Sequence, residues 1–147
     1  MTLYLDTSSL FKLYVEELGS DDVRQDLSEA AAGATSLVTY AEARAAFARV
    51  HRLGNITAAA LRSVKRDFDA DWPVYMILPP SEAICRNAGD LAERYGLRGF
   101  DSIHLATFLH LASSERNEVR FSSFDRALNR AATTALRAQR RSGRGRG

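Results

Sequence analysis

Four acidic residues of this 147-residue chain share one local setting, close to the point where an apolar segment gives way to a helical pattern. They are Asp6, Glu42, Asp101 and Asp125. Three of them follow short apolar segments that predict β-strands, and Asp101 begins a segment whose apolar residues on nearly every face predict a buried helix. The carboxyl ends of the strands in an open parallel sheet form the crevice in which ligands bind. We therefore expect the three strand-end acids to gather at one sheet edge, and Asp101 to join them if its helix packs under the same edge.

Each of these acids also has a purely structural interpretation. Acidic side chains at helix starts accept hydrogen bonds from unpaired backbone N–H groups and complement the helix dipole. Thr39 and Glu42 have the spacing of a capping box, in which the glutamate bonds back to the first residue of the motif. For any single acid, capping is a simpler explanation than catalysis. The four acids as a group are harder to explain in that way.

A cluster of four carboxylates is costly unless a positive charge lies among them. Two carboxylates ~5 Å apart repel by ~3 kcal/mol at an effective dielectric constant of about 20. Neither Lys12 nor Lys65 is at a predicted strand end, and Arg44 and Arg126, although close in sequence to two of the acids, are equally well explained as solvent-facing. A hard divalent cation such as Mg²⁺ or Mn²⁺ is the economical partner because it takes oxygen ligands. The single Cys and the three His offer no zinc-binding spacing.

The chemistry of such a site follows from its ligands. Carboxylates hold Mg²⁺, and Mg²⁺ favours phosphate oxygens, so the predicted substrate class is a phosphate ester. Two ions ~3.5–4 Å apart can activate a water molecule and stabilise the leaving oxygen of an in-line displacement. No side-chain nucleophile is needed.

The segments that must position these acids predict a three-layer α/β domain, with a short parallel sheet flanked by helices. Strands are predicted at residues 3–5, 36–38, 74–78 and 119–121. Helical segments alternate with them, and strands separated by helix-length segments imply crossover connections and a parallel sheet. The strands lack polar alternation, as expected when helices cover both faces of the sheet.

Length, composition and charge bound the organisation of the chain. A mass of 16.2 kDa fits one domain with a core of its own. Residues 137–147 carry five arginines and no acid, so the net charge of +2 becomes −3 when that segment is left out. We assign residues 1–136 to the folded domain. We expect residues 137–147, whose ending has no apolar side chain to bury, to form a disordered basic Arg/Gly tail that could hold phosphate groups.

The cysteine content and the apolar segments of the sequence indicate where in the cell the protein is expected. Cys85 is alone, which excludes a disulfide within the chain and fits a reducing cytosol. No apolar run approaches the ~18–20 residues of a membrane span, and the first residues lack the pattern of a secretory signal. We expect a cytoplasmic protein with no membrane partner.

Four segments resemble, in order and at plausible spacing, the acidic motifs of PIN-domain ribonucleases, in particular the VapC-type toxins of toxin–antitoxin pairs. They are residues 5–14, 40–46, 98–106 and 122–128. The third, which reads RGFDSIHLA, is the most specific, but each of the four is weak alone, and their order carries the resemblance. The ordered set extends over most of the chain and implies a PIN-like fold.

The resemblance also implies an activity. It assigns Asp6, Glu42, Asp101 and Asp125 as the catalytic, metal-binding acids, with Asp125 acting directly or through water. The implied enzyme is a Mg²⁺-dependent endoribonuclease, with Mn²⁺ able to substitute, that hydrolyses RNA phosphodiester bonds with metal-activated water. Proteins of this kind are usually homodimers, neutralised by a small antitoxin protein that lays a helix or an extended tail across the active-site side.

Two further residues invite a role, and one other function stays open. Ser123 resembles a small hydroxyl residue that precedes the fourth acid; it either positions a ligand carboxylate or a metal-bound water, or simply lies near a helix cap. His104, one helical turn after Asp101, is expected to be a hydrogen-bonded core or interface histidine. A haloacid-dehalogenase-type phosphatase is excluded because position 8, where it needs a second aspartate, is serine. The alternative that remains is a non-catalytic RNA-binding or scaffold domain of PIN-like fold, in which the acids are caps.

Overall fold

The computed structural model describes residues 1–144, and at its centre lies a four-stranded sheet. The strands are β1 (Thr2–Leu5), β2 (Ala32–Ser36), β3 (Met76–Leu78) and β4 (Val119–Ser122). Their order across the sheet is β3-β2-β1-β4, and each neighbouring pair is parallel. The first strand of the chain is therefore an inner strand, and the last strand lies beside it. The predicted parallel sheet is confirmed.

Helices connect these strands and cover the sheet. They are α1 (Thr7–Phe11), α2 (Ser20–Glu29), α3 (Val38–Arg52), α4 (Ala58–Asp71), α5 (Glu82–Tyr95), α6 (Gly99–Ser114) and α7 (Arg126–Arg144), with a 3₁₀ turn (Trp72–Val74) before β3. Within residues 1–144, no helix has the length and apolarity required to cross a membrane.

Local sequence signals explain several helix ends. Thr57 Oγ1 accepts a hydrogen bond from Ala60 N at 3.0 Å at the start of α4, and Ser81 Oγ accepts one from Ile84 N at 3.2 Å at the start of α5. Helix α5 ends at Gly96, whose φ of +65° lies in the left-handed region that glycine adopts without strain. Threonine and serine are favoured at the first position, and glycine at the last, for these local reasons.

The side chains of β1 enter two separate cores. Tyr4 packs among residues of α5, α6 and α7 on one face of the sheet. Leu3 and Leu5 pack among residues of α1, α2, α3 and α4 on the other face. Because successive side chains of a strand point to opposite faces, helices must cover both faces. The predicted three-layer α/β architecture is confirmed.

The second strand lies earlier in the chain than predicted. Residues 37–38, assigned to the strand by their apolar side chains, instead lead into α3, and Leu37 is 47% exposed. Strand β2 itself is built from small residues that lack the bulky β-branched and aromatic signal of a typical strand. Strand β3 is also shorter than predicted, because residues 72–74 close into a 3₁₀ turn that contains Pro73.

The basic C-terminal segment is helical rather than disordered over most of its length. Helix α7 continues to Arg144, past the domain end expected at residue 136. Gln139 Nε2 donates to Leu109 O at 3.0 Å, which fixes this part of α7 against α6, and arginine, alanine and glutamine all favour helix. The expectation of a disordered tail is therefore corrected for residues 137–144. Residues 145–147 lie outside the described residues.

An aromatic cluster dominates the core between the sheet and α3 and α4. The fully buried ring of Phe68 has its centroid 5.3–5.4 Å from the rings of Tyr14, Tyr40, Phe47 and Trp72. Several of these pairs are edge-to-face, the arrangement that aromatic quadrupoles favour. Phe68 is thus the hub of this core.

Replacing Phe68 by alanine is expected to lower the free energy of unfolding by about 3–5 kcal/mol, because it removes buried apolar surface and leaves a cavity. Chemical denaturation measures the change. Leu18→Ala, at a side chain that is 95% exposed, is the control and should change stability by no more than about 0.5 kcal/mol. Equal effects of the two substitutions would contradict the central place of Phe68.

Candidate active site

All four predicted acids line one cavity at the carboxyl edge of the sheet. The cavity has a volume of about 1020 Å³, and its walls include Asp6, Glu42, Asp101 and Asp125. Asp6 directly follows β1, and Asp125 lies in the short connection between β4 and α7. Glu42 is in α3, which follows β2, and Asp101 is near the start of α6. The parallel topology therefore brings together residues from four separate parts of the chain.

The Asp6 carboxylate is buried and held on both oxygens. Its Oδ1 accepts hydrogen bonds from Ser9 N at 3.0 Å and from Ser8 Oγ at 2.7 Å, and its Oδ2 accepts one from Ser123 Oγ at 2.5 Å. The bond from Ser9 makes Asp6 the N-cap of α1. Asp6 therefore both caps α1 and lines the cavity.

Asp125 likewise caps a helix while lining the cavity. Its Oδ1 accepts a hydrogen bond from Leu128 N at 2.9 Å at the start of α7. Ser123 Oγ, which donates to Asp6, accepts in turn from Asp125 N at 3.1 Å. Ser123 thus links the connection between β4 and α7 to the buried acid behind β1. This contact favours the positioning interpretation of Ser123.

Glu42 does not form the capping box that its spacing suggests. Its Oε1 accepts a hydrogen bond from Thr7 Oγ1 at 2.6 Å and lies 2.8 Å from His104 Nε2. Thr39 Oγ1 instead lies 2.8 Å from Thr35 Oγ1, within the core. The capping-box expectation is wrong because α3 begins before Thr39, so the two residues do not occupy the positions that the motif requires.

His104 is buried between Glu42 and Tyr4. The Tyr4 hydroxyl lies 3.0 Å from Nδ1. Burial raises the pKa of Tyr4, so its hydroxyl keeps its proton and can donate to Nδ1, which leaves the Nε2 proton to be donated to Glu42. Burial opposes ionisation of Glu42, but the hydrogen bonds from His104 and Thr7, with the electrostatic influence of His104, outweigh it and lower the pKa of Glu42. The expected hydrogen-bonded core histidine is confirmed, and its partner is a site acid.

Asp101 is the third residue of α6 and does not cap it. The N-cap is Arg98, and the Asp101 carboxylate accepts no hydrogen bond from the residues that the structure describes. Burial raises the pKa of Asp101, the negative charges of Asp125 and Asp6 raise it further, and Arg98 lowers it. The capping interpretation of Asp101, weighed above against catalysis, is therefore wrong. The surroundings of Asp101 instead oppose its negative charge.

Cationic side chains also line the cavity. Lys12 is already engaged, since its Nζ donates to Glu17 Oε1 at 2.6 Å and to Leu18 O at 2.9 Å. Arg49 and Arg98 line the cavity too, and neither makes an ion pair with another residue of the described range 1–144. These two arginines can therefore face an anionic ligand.

Several functional neighbours of the acids were not predicted from the sequence. Thr7 and Ser8 directly follow Asp6, and Arg98 lies three residues before Asp101. Their closeness in sequence to a predicted site acid could have indicated that they lie beside it. The partnership of Tyr4 with His104 had no such signal, because the two residues are 100 positions apart.

The donor chemistry of the cavity fits Mg²⁺ or Mn²⁺. The candidate ligands are carboxylate oxygens, and neighbouring negative charges oppose ionisation of Asp101, a cost that a cation would relieve. Across residues 1–144, no three His, Cys, Asp or Glu side chains are grouped closely enough to form a ready-made metal site. The four carboxylates line one cavity without forming such a group.

The fold and the acid-lined cavity define a class of protein. The model of the PIN domain family matches residues 3–133 of this chain. That match covers all four acids and most of the chain. The chain therefore belongs to the PIN domain family.

Within that family the chain is similar to two proteins of Mycobacterium tuberculosis. Ribonuclease VapC45 of strain CDC 1551 / Oshkosh and Ribonuclease VapC49 of strain ATCC 25618 / H37Rv are each 32% identical to it over 107 residues, which is 73% of this chain and 74% of each relative. The crystal structure of FitAcB from Neisseria gonorrhoeae has a TM-score of 0.66 and 19% identity, covering 89% of this chain and 93% of that chain. That structure supports the fold. The resemblance to VapC-type PIN-domain ribonucleases is confirmed.

Asp101→Asn is expected to be more stable than the unchanged protein at neutral pH in EDTA. Burial and the charges of Asp125 and Asp6 oppose ionisation of Asp101, and the amide of the variant carries no charge. The pKa of Asp101 is raised above its unfolded value of about 3.8, so the unchanged protein loses stability relative to the variant as the pH rises through the interval between the two values. Below that interval the advantage of the variant disappears. Thermal unfolding from acidic to neutral pH measures it.

Asp90→Asn is the matched control, since Asp90 is an exposed aspartate on α5 that does not line the cavity. The two variants should therefore differ in how their stability, relative to the unchanged protein, depends on pH. Coincident profiles would show that the surroundings of Asp101 do not oppose its charge.

Proposed function

We propose that this protein is a Mg²⁺-dependent endoribonuclease that hydrolyses RNA phosphodiester bonds and acts as the toxin of a type II toxin–antitoxin module. The observation that carries the proposal is the placement of four acids from distant parts of the chain around one cavity, with the charge of Asp101 poorly compensated. The names of the relatives VapC45 and VapC49 as ribonucleases support RNA as the substrate.

The four acids are proposed as the ligands of Mg²⁺ and as the catalytic residues. They are Asp6, Glu42, Asp101 and Asp125. When bound, Mg²⁺ supplies positive charge that activates water and stabilises a leaving phosphate-ester oxygen, and Mn²⁺ can supply the same chemistry. The four carboxylates attract such a cation, and without it they would repel the negatively charged phosphate.

Neighbouring hydroxyl and imidazole groups fix the orientation of two of these acids. Ser8 and Ser123 donate to opposite oxygens of Asp6, so the chain itself sets the orientation of that carboxylate. His104 holds Glu42 and, through a lowered pKa, keeps it ionised. Such outer contacts contribute to metal affinity and activity because they set the direction of the ligand oxygens.

Arg49 and Arg98 are proposed to hold the phosphates of the RNA beside the acids. Both line the cavity, and neither makes an ion pair within residues 1–144, although Arg98 is near enough to Asp101 to lower its pKa. A guanidinium group matches the geometry of two phosphate oxygens and stays charged at any physiological pH. The cavity is therefore lined by both positive and negative side chains, which suits a phosphodiester bridged to the acids by a cation.

The remaining features of the proposal follow from the family resemblance. We propose a cytoplasmic homodimer whose cavity is covered by a cognate antitoxin protein. The alternative, a non-catalytic RNA-binding or scaffold domain of PIN-like fold, treats the acids as caps. Glu42 and Asp101 cap no helix, and this observation favours catalysis.

Cleavage of RNA by the purified, antitoxin-free protein is expected to stop in EDTA and to resume when Mg²⁺ or Mn²⁺ is added. Asp101→Asn should cleave more than about 100-fold more slowly, because an amide is a much poorer Mg²⁺ ligand than a carboxylate. Sequencing of RNA ends after brief incubation gives both the rate and the position of cleavage.

The control is the Asp101→Asn protein purified in parallel, which exposes contaminating nucleases. Cleavage that persists in EDTA only for the unchanged protein would overturn the metal requirement. Binding of RNA without any cleavage would instead favour the non-catalytic alternative.

The arginines at the end of α7 are proposed to bind RNA phosphates outside the cavity. Replacing Arg140, Arg141 and Arg144 together by glutamine should weaken RNA binding and reduce the salt dependence of the binding constant by about 0.7 for each phosphate that is no longer neutralised. The cleavage position should stay the same, because none of these residues lines the cavity. An unchanged salt dependence, measured by titration at several salt concentrations, would exclude a role for this segment in binding.

A further inference from the structure

The outer edge of β4 has no strand beside it within residues 1–144. Strand β4 is last in the order β3-β2-β1-β4 and pairs with β1 alone. The backbone N–H of Thr2 donates to the carbonyl of Glu118 at 2.9 Å, so Glu118 and every second residue after it bond to β1. Val119 and Phe121 lie between those positions. Their backbone N–H and C=O groups therefore point away from β1, toward the open edge.

These outward backbone groups belong to residues with little exposure to water. Val119 is 4% exposed, and Phe121 is partly buried. Within residues 1–144, no hydrogen bond joins the outward N–H or C=O of either residue to another group. Roughly 90% or more of the buried backbone N–H and C=O groups in folded proteins have a partner, because an unpaired group costs free energy. The edge of β4 therefore lacks the partner that an added strand would supply.

A groove lies between this edge and α7. It has a volume of about 380 Å³, and the apolar residues that line it include Phe108, Phe121, Ala132 and Leu136. The ring centroids of Phe108 and Phe121 are 5.0 Å apart, and Phe108 is 1% exposed, so the aromatic part of the lining is held within the core. A volume of this size is at the lower end of the range for ligand sites. Apolar side chains of an added strand would enter the groove on the side of α7.

Positive charge lies on both sides of the open edge. Successive side chains of a strand point to opposite faces, so Arg120 lies on the face opposite Phe121, with its Nη2 3.9 Å from Asp26 Oδ1 of α2. Both members of that ion pair are partly exposed, so it contributes little and leaves Arg120 open to another acid. Arg140 lines the groove from α7 and makes no ion pair within residues 1–144, and the acid among the described lining residues is Glu118. A strand beside β4 would thus have apolar contacts on one face and Arg120 on the other.

The charges of the edge oppose pairing with a second copy of the same strand. Because Val119 and Phe121 carry the outward groups, an antiparallel pair of β4 strands would be centred on Arg120 and would place its two copies opposite each other. Like charges directly opposite each other destabilise a strand pair. Helix α7, which borders the groove, carries six arginines and no acid between Arg126 and Arg144. The edge therefore suits an acidic partner better than another copy of this chain.

We infer that the open edge of β4 binds an extended segment of another protein as a fifth strand of the sheet. In that segment, apolar side chains that face α7 alternate with acidic side chains that face Arg120. Backbone hydrogen bonds to Val119 and Phe121 supply affinity, and the alternating side chains supply specificity. The groove shares no lining residue with the acid-lined cavity, and the inference does not rest on the proposed function.

Fluorescence anisotropy with a labelled peptide of about seven alternating glutamate and valine residues tests the inference. The glutamate probe should bind the protein. A lysine probe, with lysine in place of glutamate, should bind at least roughly 10-fold more weakly, because lysine repels Arg120. Arg120→Glu should reverse the preference: it should weaken binding of the glutamate probe by about 5- to 30-fold and strengthen binding of the lysine probe.

Amide hydrogen exchange shows where the probe binds. Without the probe, the N–H groups of Val119 and Phe121 should exchange faster than that of Arg120, which bonds to β1. With the glutamate probe bound, exchange at Val119 and Phe121 should slow, whereas exchange at Arg120 should change little. Protection at alternate residues is the signature of strand addition, and side-chain contact alone would not produce it.

Two further variants separate a specific site from general charge and from loss of folding. Arg94→Glu makes the same change in net charge at an exposed arginine of α5 outside the groove, and it should bind both probes like the unchanged protein. Thr133→Trp places a bulky ring at an exposed position of α7 that lines the groove, and it should weaken binding of the glutamate probe by obstruction. Thermal unfolding should show that all three variants remain folded. The charge reversal is placed at Arg120 because Arg140 is also among the arginines proposed to bind RNA.

Several results would overturn the inference. Equal affinity for the two probes, no binding of the glutamate probe at about 1 mM, or unchanged exchange at Val119 and Phe121 would each exclude an acidic strand at this edge. Protection of the same two amides that rises with protein concentration alone would assign the edge to a second copy. Protection that depends on residues 145–147 would assign it to the chain itself, and protection by RNA in place of the probe would assign it to nucleic acid. None of these measurements involves RNA cleavage, so this inference and the proposed function fail separately.

Discussion

The Asp6 carboxylate accepts hydrogen bonds from Ser8, Ser9 and Ser123, and the arrangement of the cavity depends on these contacts. Hydrogen bonds to a charged acceptor are shorter and stronger than those between neutral groups, and here they satisfy a carboxylate that is only 4% exposed. The hydrogen bond from Ser9 caps the start of α1 directly after β1. The hydrogen bond from Ser123 holds the connection between β4 and α7 against Asp6. Asp125 and the ring of Phe124 both belong to that connection, so their positions follow from the contacts of a single buried charge.

Strand β1 links this cavity to the rest of the protein because its side chains reach both cores. Leu3 and Leu5 belong to one core, while Tyr4 belongs to the other and meets His104 at its hydroxyl. His104 in turn contacts Glu42, which comes from the opposite side of the sheet edge. A polar chain from Tyr4 to Glu42 thus runs from the core to the cavity wall. Buried polar networks that are fully satisfied favour one side-chain arrangement over others, and this one sets the direction of Glu42.

The sequence was sufficient for the features that topology alone decides. Alternation of strands and helices predicted a parallel sheet, and a parallel sheet brings the residues after β1 and β4 to one edge whatever the details of packing. Features that depend on side-chain contacts across the chain were not predictable. The small residues of β2 carry little strand signal, Glu42 has the spacing of a capping box yet turns to His104, and Arg144 lies in a helix although its neighbours suggested disorder. In each of these, a tertiary contact or an intrinsic preference for helix outweighed the local pattern.

The central position of β1 has a consequence for the order in which the molecule is made. A ribosome produces β1 before its neighbour β4, and the hydroxyl of Ser123 follows its partner Asp6 by 117 residues. Contacts between such distant parts of a chain form late, because closing a long loop costs entropy before any contact rewards it. A growing chain that still lacks β4 therefore has an open sheet and an incomplete cavity. The cavity therefore acquires its last acid, Asp125, only after β4 has been made.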